Sequence, residues 1–200
     1  MARLMSRILL IAAFLTAGAG NHAADTATAE QGWHLPQLMA SLQQVHAATA
    51  SFVERKYMRI LREPLQSSGQ LVYVRPDKLQ KETVLPKPER LIVEGDRLTI
   101  EQQGDQVRRL SLQDFPQIWA LVESIRATLA GDLPTLSRFY DVSLQGDPED
   151  WTLQLVPKDS KTRELVTAIR ISGGKSAIRH VETLEGDGDR TSMMIVAETR

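Results

Sequence analysis

Residues able to do covalent or metal chemistry are scarce in this chain, and none stands at a spacing that brings them together. The sequence has no cysteine, which removes a thiolate nucleophile, a disulfide scaffold, a zinc ribbon, an iron–sulfur site and a lipid-modified N-terminal cysteine. The four histidines, His22, His34, His46 and His180, show no metal-ligand spacing. No serine occupies a Gly-x-Ser-x-Gly elbow. Gly174-Lys175-Ser176 ends like a phosphate loop, but Ile169 stands where the leading glycine is required, so a hairpin turn is expected. Asp187-Gly188-Asp189 opens like a calcium loop, yet the other ligand positions and the closing Glu do not follow, so it reads as a solvated turn. Acidic pairs such as Glu149-Asp150 fall in turns, where they lack the cleft that acid–base work requires. Nothing here points to an enzyme, and neither a cofactor nor a metal is expected.

What remains is apolar patterning. The 200 residues carry 24 basic and 25 acidic side chains, a formal charge of −1, and 42% are hydrophobic. That is a globular composition with enough apolar surface for a real core. It lacks the basic surface that non-specific phosphate binding needs, so no nucleic-acid partner is expected. Arg3 and Arg7 precede the apolar run Ile8–Ala19, and the small pair Ala23-Ala24 follows. A positive start, a short greasy stretch and small residues at its exit form a secretory signal peptide over residues 1–24. The run is shorter than the roughly 18–20 apolar residues of a spanning helix, an uncleaved anchor being the alternative. Its removal leaves 22 basic and 25 acidic residues, net −3. Residues 25–200 should then form one soluble, monomeric domain, with a bacterial periplasm as its natural home.

The elements that position side chains follow from periodicity. After a polar leader, Asp25–Gln31, a helical stripe runs through Leu35, Leu38, Met39, Leu42 and Val45. With Pro36 in its first turn, this helix should end near Ala50. The period then drops to two. Strands are expected around Phe52–Leu61, Leu71–Arg75 (after a Ser67-Ser68-Gly69 turn), Leu79–Leu85, Leu91–Val93, Leu98–Glu101 and Val107–Leu112. A second helix should start at Asp114 as cap, with Pro116 in its first turn, and stop at Gly131. Its apolar face is Ile118, Leu121, Val122, Ile125 and Leu129, with Trp119 alongside. A short helical turn at Leu133–Phe139 precedes five more strands, Tyr140–Leu144, Trp151–Val156, Leu165–Ile171, Ala177–Glu182 and Thr191–Glu198. The expectation is mainly β (α+β), with about eleven antiparallel strands and two main helices.

A long twisted sheet curls, and two helices are the only cover for its apolar inner face. Either side chains fill that space, or the sheet is a partly open barrel that takes an apolar ligand beneath a helical lid. Composition alone does not choose.

Four stretches resemble the periplasmic lipoprotein carrier family, the LolA type. They are the helix exit Ala50-Ser51-Phe52-Val53-Glu54, where that family usually has Ser-Phe-x-Gln, and the run Gly69-Gln70-Leu71-Val72-Tyr73-Val74-Arg75-Pro76. The others are Pro86–Leu98 and Trp151-Thr152-Leu153-Gln154-Leu155-Val156-Pro157-Lys158. The resemblance implies an incomplete antiparallel barrel of about eleven strands with helices over its opening. It implies a function as well: ferrying an acylated lipoprotein, or another acylated lipid, from an inner-membrane transporter to an outer-membrane acceptor. A structural or adaptor protein of a lipid exporter or acyltransferase system, with no cargo of its own, is the alternative.

On that reading Phe52, Leu71, Tyr73, Leu79, Leu91 and Val93 should wall an acyl groove, and Ile118, Trp119, Val122 and Ile125 should form its lid. Arg75 shares a strand face with Leu71 and Tyr73, and by resemblance its guanidinium bonds to backbone in the lid helices. Leu79 and Lys81 stand where the carriers usually place large aromatics, so an inward Lys81 suggests a more polar cargo. The resemblance also implies a C-terminal extension, whereas this sequence stops at Arg200 soon after the last strand, which bears on delivery to the usual receptor.

Overall fold

The structure, a computed structural model, describes residues 33–104 and 107–197. The expected signal peptide and polar leader, Asp105 of the turn after Gly104, and Glu198 lie outside the described residues. A short helix α1 (Leu35–Gln43) leads into β1 (Ala47–Tyr57), β2 (Leu65–Val74), β3 (Lys78–Leu85), β4 (Glu89–Glu94), β5 (Arg97–Gln102) and β6 (Arg108–Ser111). Helices α2 (Pro116–Ala130) and α3 (Leu133–Phe139) follow. The chain then forms β7 (Tyr140–Gly146), β8 (Trp151–Pro157), a single helical turn α4 (Ser160–Arg163), β9 (Val166–Gly174), β10 (Ala177–Glu185) and β11 (Arg190–Ala197).

All eleven strands lie in one sheet ordered β6-β5-β4-β3-β2-β1-β11-β10-β9-β8-β7. Each neighbouring pair is antiparallel, and β1 joins the two halves by pairing with both β2 and β11. The sheet does not close on itself, because β6 and β7 are its two edges. It is the open, incomplete barrel that the resemblance implies, with the eleven strands that periodicity predicts. Residues alternate across the pleat, so Phe52, Leu71, Tyr73, Leu79, Leu91, Val93, Leu98 and Ile100 point to one side. There they join α1 and α2 in one buried cluster that includes Leu38, Leu42, Ile118, Leu121, Val122, Ile125 and Leu129.

Several local expectations are corrected. The first helix ends at Gln43, not near Ala50, because Ala47–Ser51 are recruited into ladders with β2 and β11. Ser67-Ser68-Gly69 is not a turn; it lies within β2, with a register shift at Ser68/Gly69, and the turn is the 58–64 connection. Asp114 does not cap α2, whose first residue follows Phe115; it closes a 3-10 turn over Leu112–Asp114 instead. Gly131 ends α2 in the left-handed conformation, φ 65°, as glycine at that position should. Ser172-Gly173-Gly174 also belongs to a strand, β9, and Lys158–Lys161 leads into α4.

Candidate functional site

Of the residues expected to form the groove, Phe52, Leu71, Tyr73, Leu79, Leu91 and Val93 all face inward and are buried. Ile118, Val122 and Ile125 bring the opposing face of α2 against them. Leu71, Tyr73, Leu79, Val93 and Val122 have 0% exposure, so no water-sized void touches them in this arrangement. Trp119 does not join the cover's inner face: it is 42% exposed on the other side of α2. That follows from helical geometry, since neighbouring residues point about 100° apart.

Arg75 stands at the strand end where the sheet meets the helices. Its Nη1 donates to the Gln43 carbonyl at 2.7 Å and its Nη2 to the Ala130 carbonyl at 2.9 Å. Gln43 and Ala130 are the last residues of α1 and α2. Their carbonyls lack intrahelical partners and lie at the negative ends of the helix dipoles, so a guanidinium there is favoured twice over. One planar side chain thus ties the sheet to both helices. Next to it, burial pushes the Tyr73 hydroxyl above the usual phenol value, and the Arg75 charge opposes that shift.

A second clamp runs the other way, and sequence reasoning missed it. Arg126, on α2, donates from Nη2 to the carbonyls of Asp77 (3.1 Å) and Gly95, in the β2–β3 and β4–β5 turns. Its Nη1 pairs with Glu123 at 2.8 Å. The signal was present: Arg126 falls four residues after Val122 and three before Leu129, within the apolar stripe of its own helix. Tyr140 adds a third tie, its hydroxyl donating to the Ala120 carbonyl at 3.2 Å.

Lys81 is buried, but it is not free to meet a ligand. Its Nζ lies 2.5 Å from Glu54 Oε2 and 4.9 Å from the centre of the Phe52 ring. Glu54 comes from β1 and Lys81 from β3, with β2 between them. Burial pulls the Lys81 ammonium below its usual value, against the opposing charges of Glu54 and Glu89. The inner face is therefore divided. Apolar side chains lie toward Arg75, and toward the other end stand Glu54, Lys81 and a further ion pair, Lys56–Glu185 at 2.8 Å.

Glu185, Asp187 and Asp189 place carboxylate oxygens within 4.8 Å of one another. Each carboxylate accepts at least one hydrogen bond: Glu185 from Lys56 and Thr191, Asp189 from the Arg59 amide, and Asp187 from the Asp189 amide. That matches a hydrogen-bonded turn. A depression of about 440 Å³ opens there, lined by Tyr57, Met58, Arg59 and Asp189 among others, and includes none of the expected groove residues.

Fold and site together give an unclosed antiparallel sheet whose apolar inner face is held under helices by arginine–carbonyl clamps. The chain belongs to the outer membrane lipoprotein carrier protein LolA-like family, whose model matches residues 23–199. This is a carrier family rather than a catalytic one. No curated protein sequence matches. Among solved structures, the chain is similar to a LolA superfamily protein from Nitrosomonas europaea, at 10% identity and TM-score 0.45 over 80% of this chain and 90% of that one. It is also similar to an outer membrane lipoprotein-sorting protein domain from Vibrio parahaemolyticus, at 11% identity and TM-score 0.43 over 82% and 91%. A third likeness is to the MucA/MucB complex of Pseudomonas aeruginosa, at 14% identity and TM-score 0.38 over 83% and 57%. No helix among the described residues is long and apolar enough to cross a membrane.

Proposed function

We propose that this protein is a periplasmic carrier that takes the acyl chains of a lipoprotein or other acylated lipid between its sheet and its helical cover. An inner-membrane transporter would load it, and an outer-membrane acceptor would unload it. The single observation that supports this most is the Arg75 bridge to Gln43 and Ala130. Directional side-chain bonds to carbonyls, from Arg75 and also from Arg126 and Tyr140, hold the cover on an apolar face, and cargo would enter by exchanging them. Each buried methylene is worth about 0.8 kcal/mol, so a sixteen-carbon chain brings on the order of 12 kcal/mol. That gain works against the ties and packing that hold the cover, and brings the chain onto Phe52, Leu71, Tyr73, Leu79, Leu91 and Val93. Arg75 then favours the closed, empty state and so favours release.

One observation favours the adaptor reading: among the described residues, Leu71, Tyr73, Leu79, Val93 and Val122 on the inner face are fully buried. Mass spectrometry of the protein purified without detergent, with displacement of a fluorescent fatty acid as a second assay, separates the two. Co-purifying acyl lipid and saturable displacement support the carrier. A consistently empty protein that ignores the probe supports the adaptor.

A further inference from the structure

We propose that the end of the sheet formed by the 58–64 connection and the β3–β4 turn is a docking surface for an anionic lipid bilayer. Single exposed apolar residues are ordinary on a soluble protein. Here they gather. Among the described residues, five of the eleven exposed large hydrophobics are Ile60 (84%), Leu61, Leu65, Val84 and Leu85 (61%). The ladder brings them together: Leu65 opens β2 opposite Lys56, and Leu85 ends β3 opposite Ser68 of β2. Both connections therefore protrude from the same edge of the barrel, side by side.

Within the two connections themselves cations outnumber acids, the acids Asp187 and Glu89 lying just outside them. Residues 58–64 and 86–88 contain Arg59, Arg62 and Lys87 against the single acid Glu63, and all four side chains are exposed. Arg59 also donates to the Asp187 carbonyl, which anchors the connection to the β10–β11 turn. Pro64, Pro86 and Pro88 restrict the two connections, so little chain freedom remains to be lost on contact. Branched aliphatic tips alternating with cations suit an interface where apolar groups enter the headgroup layer and cations meet lipid phosphates. A protein partner would more commonly meet aromatic anchors in a shaped patch. The neighbouring Tyr57 is already stacked by Arg190, 4.3 Å from its ring centre.

The inference does not depend on cargo, and its failure would leave the carrier reading standing. The test is flotation of the exported, purified protein with vesicles of phosphatidylglycerol and phosphatidylethanolamine, against vesicles of phosphatidylcholine alone. The parent should float with the anionic vesicles, at least tenfold less with the neutral ones, and less as salt rises. Ile60→Asp combined with Leu85→Asp should abolish flotation, and Arg62→Gln with Lys87→Gln should remove its salt dependence. Both variants should keep the parental melting temperature and fatty-acid displacement, since none of these side chains is buried. A parent that stays in the soluble fraction, or an Ile60→Asp/Leu85→Asp variant that floats like the parent, overturns the proposal. Self-association lost in the same variant without any vesicle binding overturns it in favour of a protein partner.

Discussion

Lys81 and Glu54 form an ion pair 2.5 Å long inside the barrel, across one intervening strand. Both side chains are at least nine-tenths buried, at 5% and 10% exposure. Neither charge has water to fall back on, so each depends on the other. Removing one partner leaves an uncompensated buried charge, which costs about 3–5 kcal/mol, whereas replacing both with apolar groups of similar volume is often neutral. Lys81→Met should therefore destabilise strongly in urea denaturation, and Glu54→Leu with Lys81→Leu should recover most of the loss. Equal stability of Lys81→Met and parent would mean that water reaches the pair.

Arg75→Leu should leave the fold intact and slow the release of bound fatty acid. Amide exchange at the C-terminal turn of α2 should quicken, because the Ala130 carbonyl loses its donor. Arg75→Lys should rescue only in part, since one ammonium cannot reproduce the planar fork that spans two carbonyls. Release kinetics indistinguishable from the parent in Arg75→Leu would remove the latch from the carrier scheme.

Tyr140 makes stability depend on pH in the alkaline range. Burial raises its hydroxyl from 10.0 to about 12. The unfolded chain loses this proton near pH 10 while the folded one keeps it, so the contribution is complete below pH 10 and disappears as pH rises toward 12. The effect is on the order of 2–3 kcal/mol, at about 1.4 kcal/mol for each unit between the two values. Denaturant melts from pH 9 to 12 should show the decline, and Tyr140→Phe should reduce it, leaving the part that Tyr73, also raised by burial, contributes.

Leu79→Ala and Trp119→Ala test which side of the cover is which. Leu79, with 0% exposure, packs under α2, and its truncation should cost about 2–5 kcal/mol. Trp119→Ala should cost clearly less than that, because 42% of the residue is already exposed. A large loss at Trp119 would show that it covers something in solution.

Much of this architecture was legible because a half-buried strand advertises itself by alternation. Phe52 and Glu54, or Leu79 and Lys81, could be assigned to one face from spacing alone. That Glu54 and Lys81 pair was not legible, since it depends on β1 and β3 flanking β2 and on the exact register of both ladders. Ser67-Ser68-Gly69 has turn chemistry, yet two neighbouring strands draw it into β2, with tertiary pairing overriding local preference. Gly69 is required for a different reason: a Cβ there would overlap the Glu82 carbonyl. The first helix was extended too far because Ala47-Ala48-Thr49-Ala50 is weakly patterned and fits either state. Arg126 shows the opposite failure. Its place within an apolar stripe signalled a committed guanidinium, but the turns that receive it are 31 and 49 residues away in the chain.

The path of the chain has a mechanical consequence. Helices α2 and α3 are the bridge between β6 and β7, the two strands at opposite rims of the sheet. They are threaded into no ladder, and the seam that unites the two wings is the distant β1–β11 pairing. Swinging the bridge outward would break side-chain ties such as those of Arg75, Arg126 and Tyr140 while sparing every rung between strands. Gape and rigidity are thus assigned to different parts of one polypeptide, and a tail can be admitted without unravelling the wall that receives it.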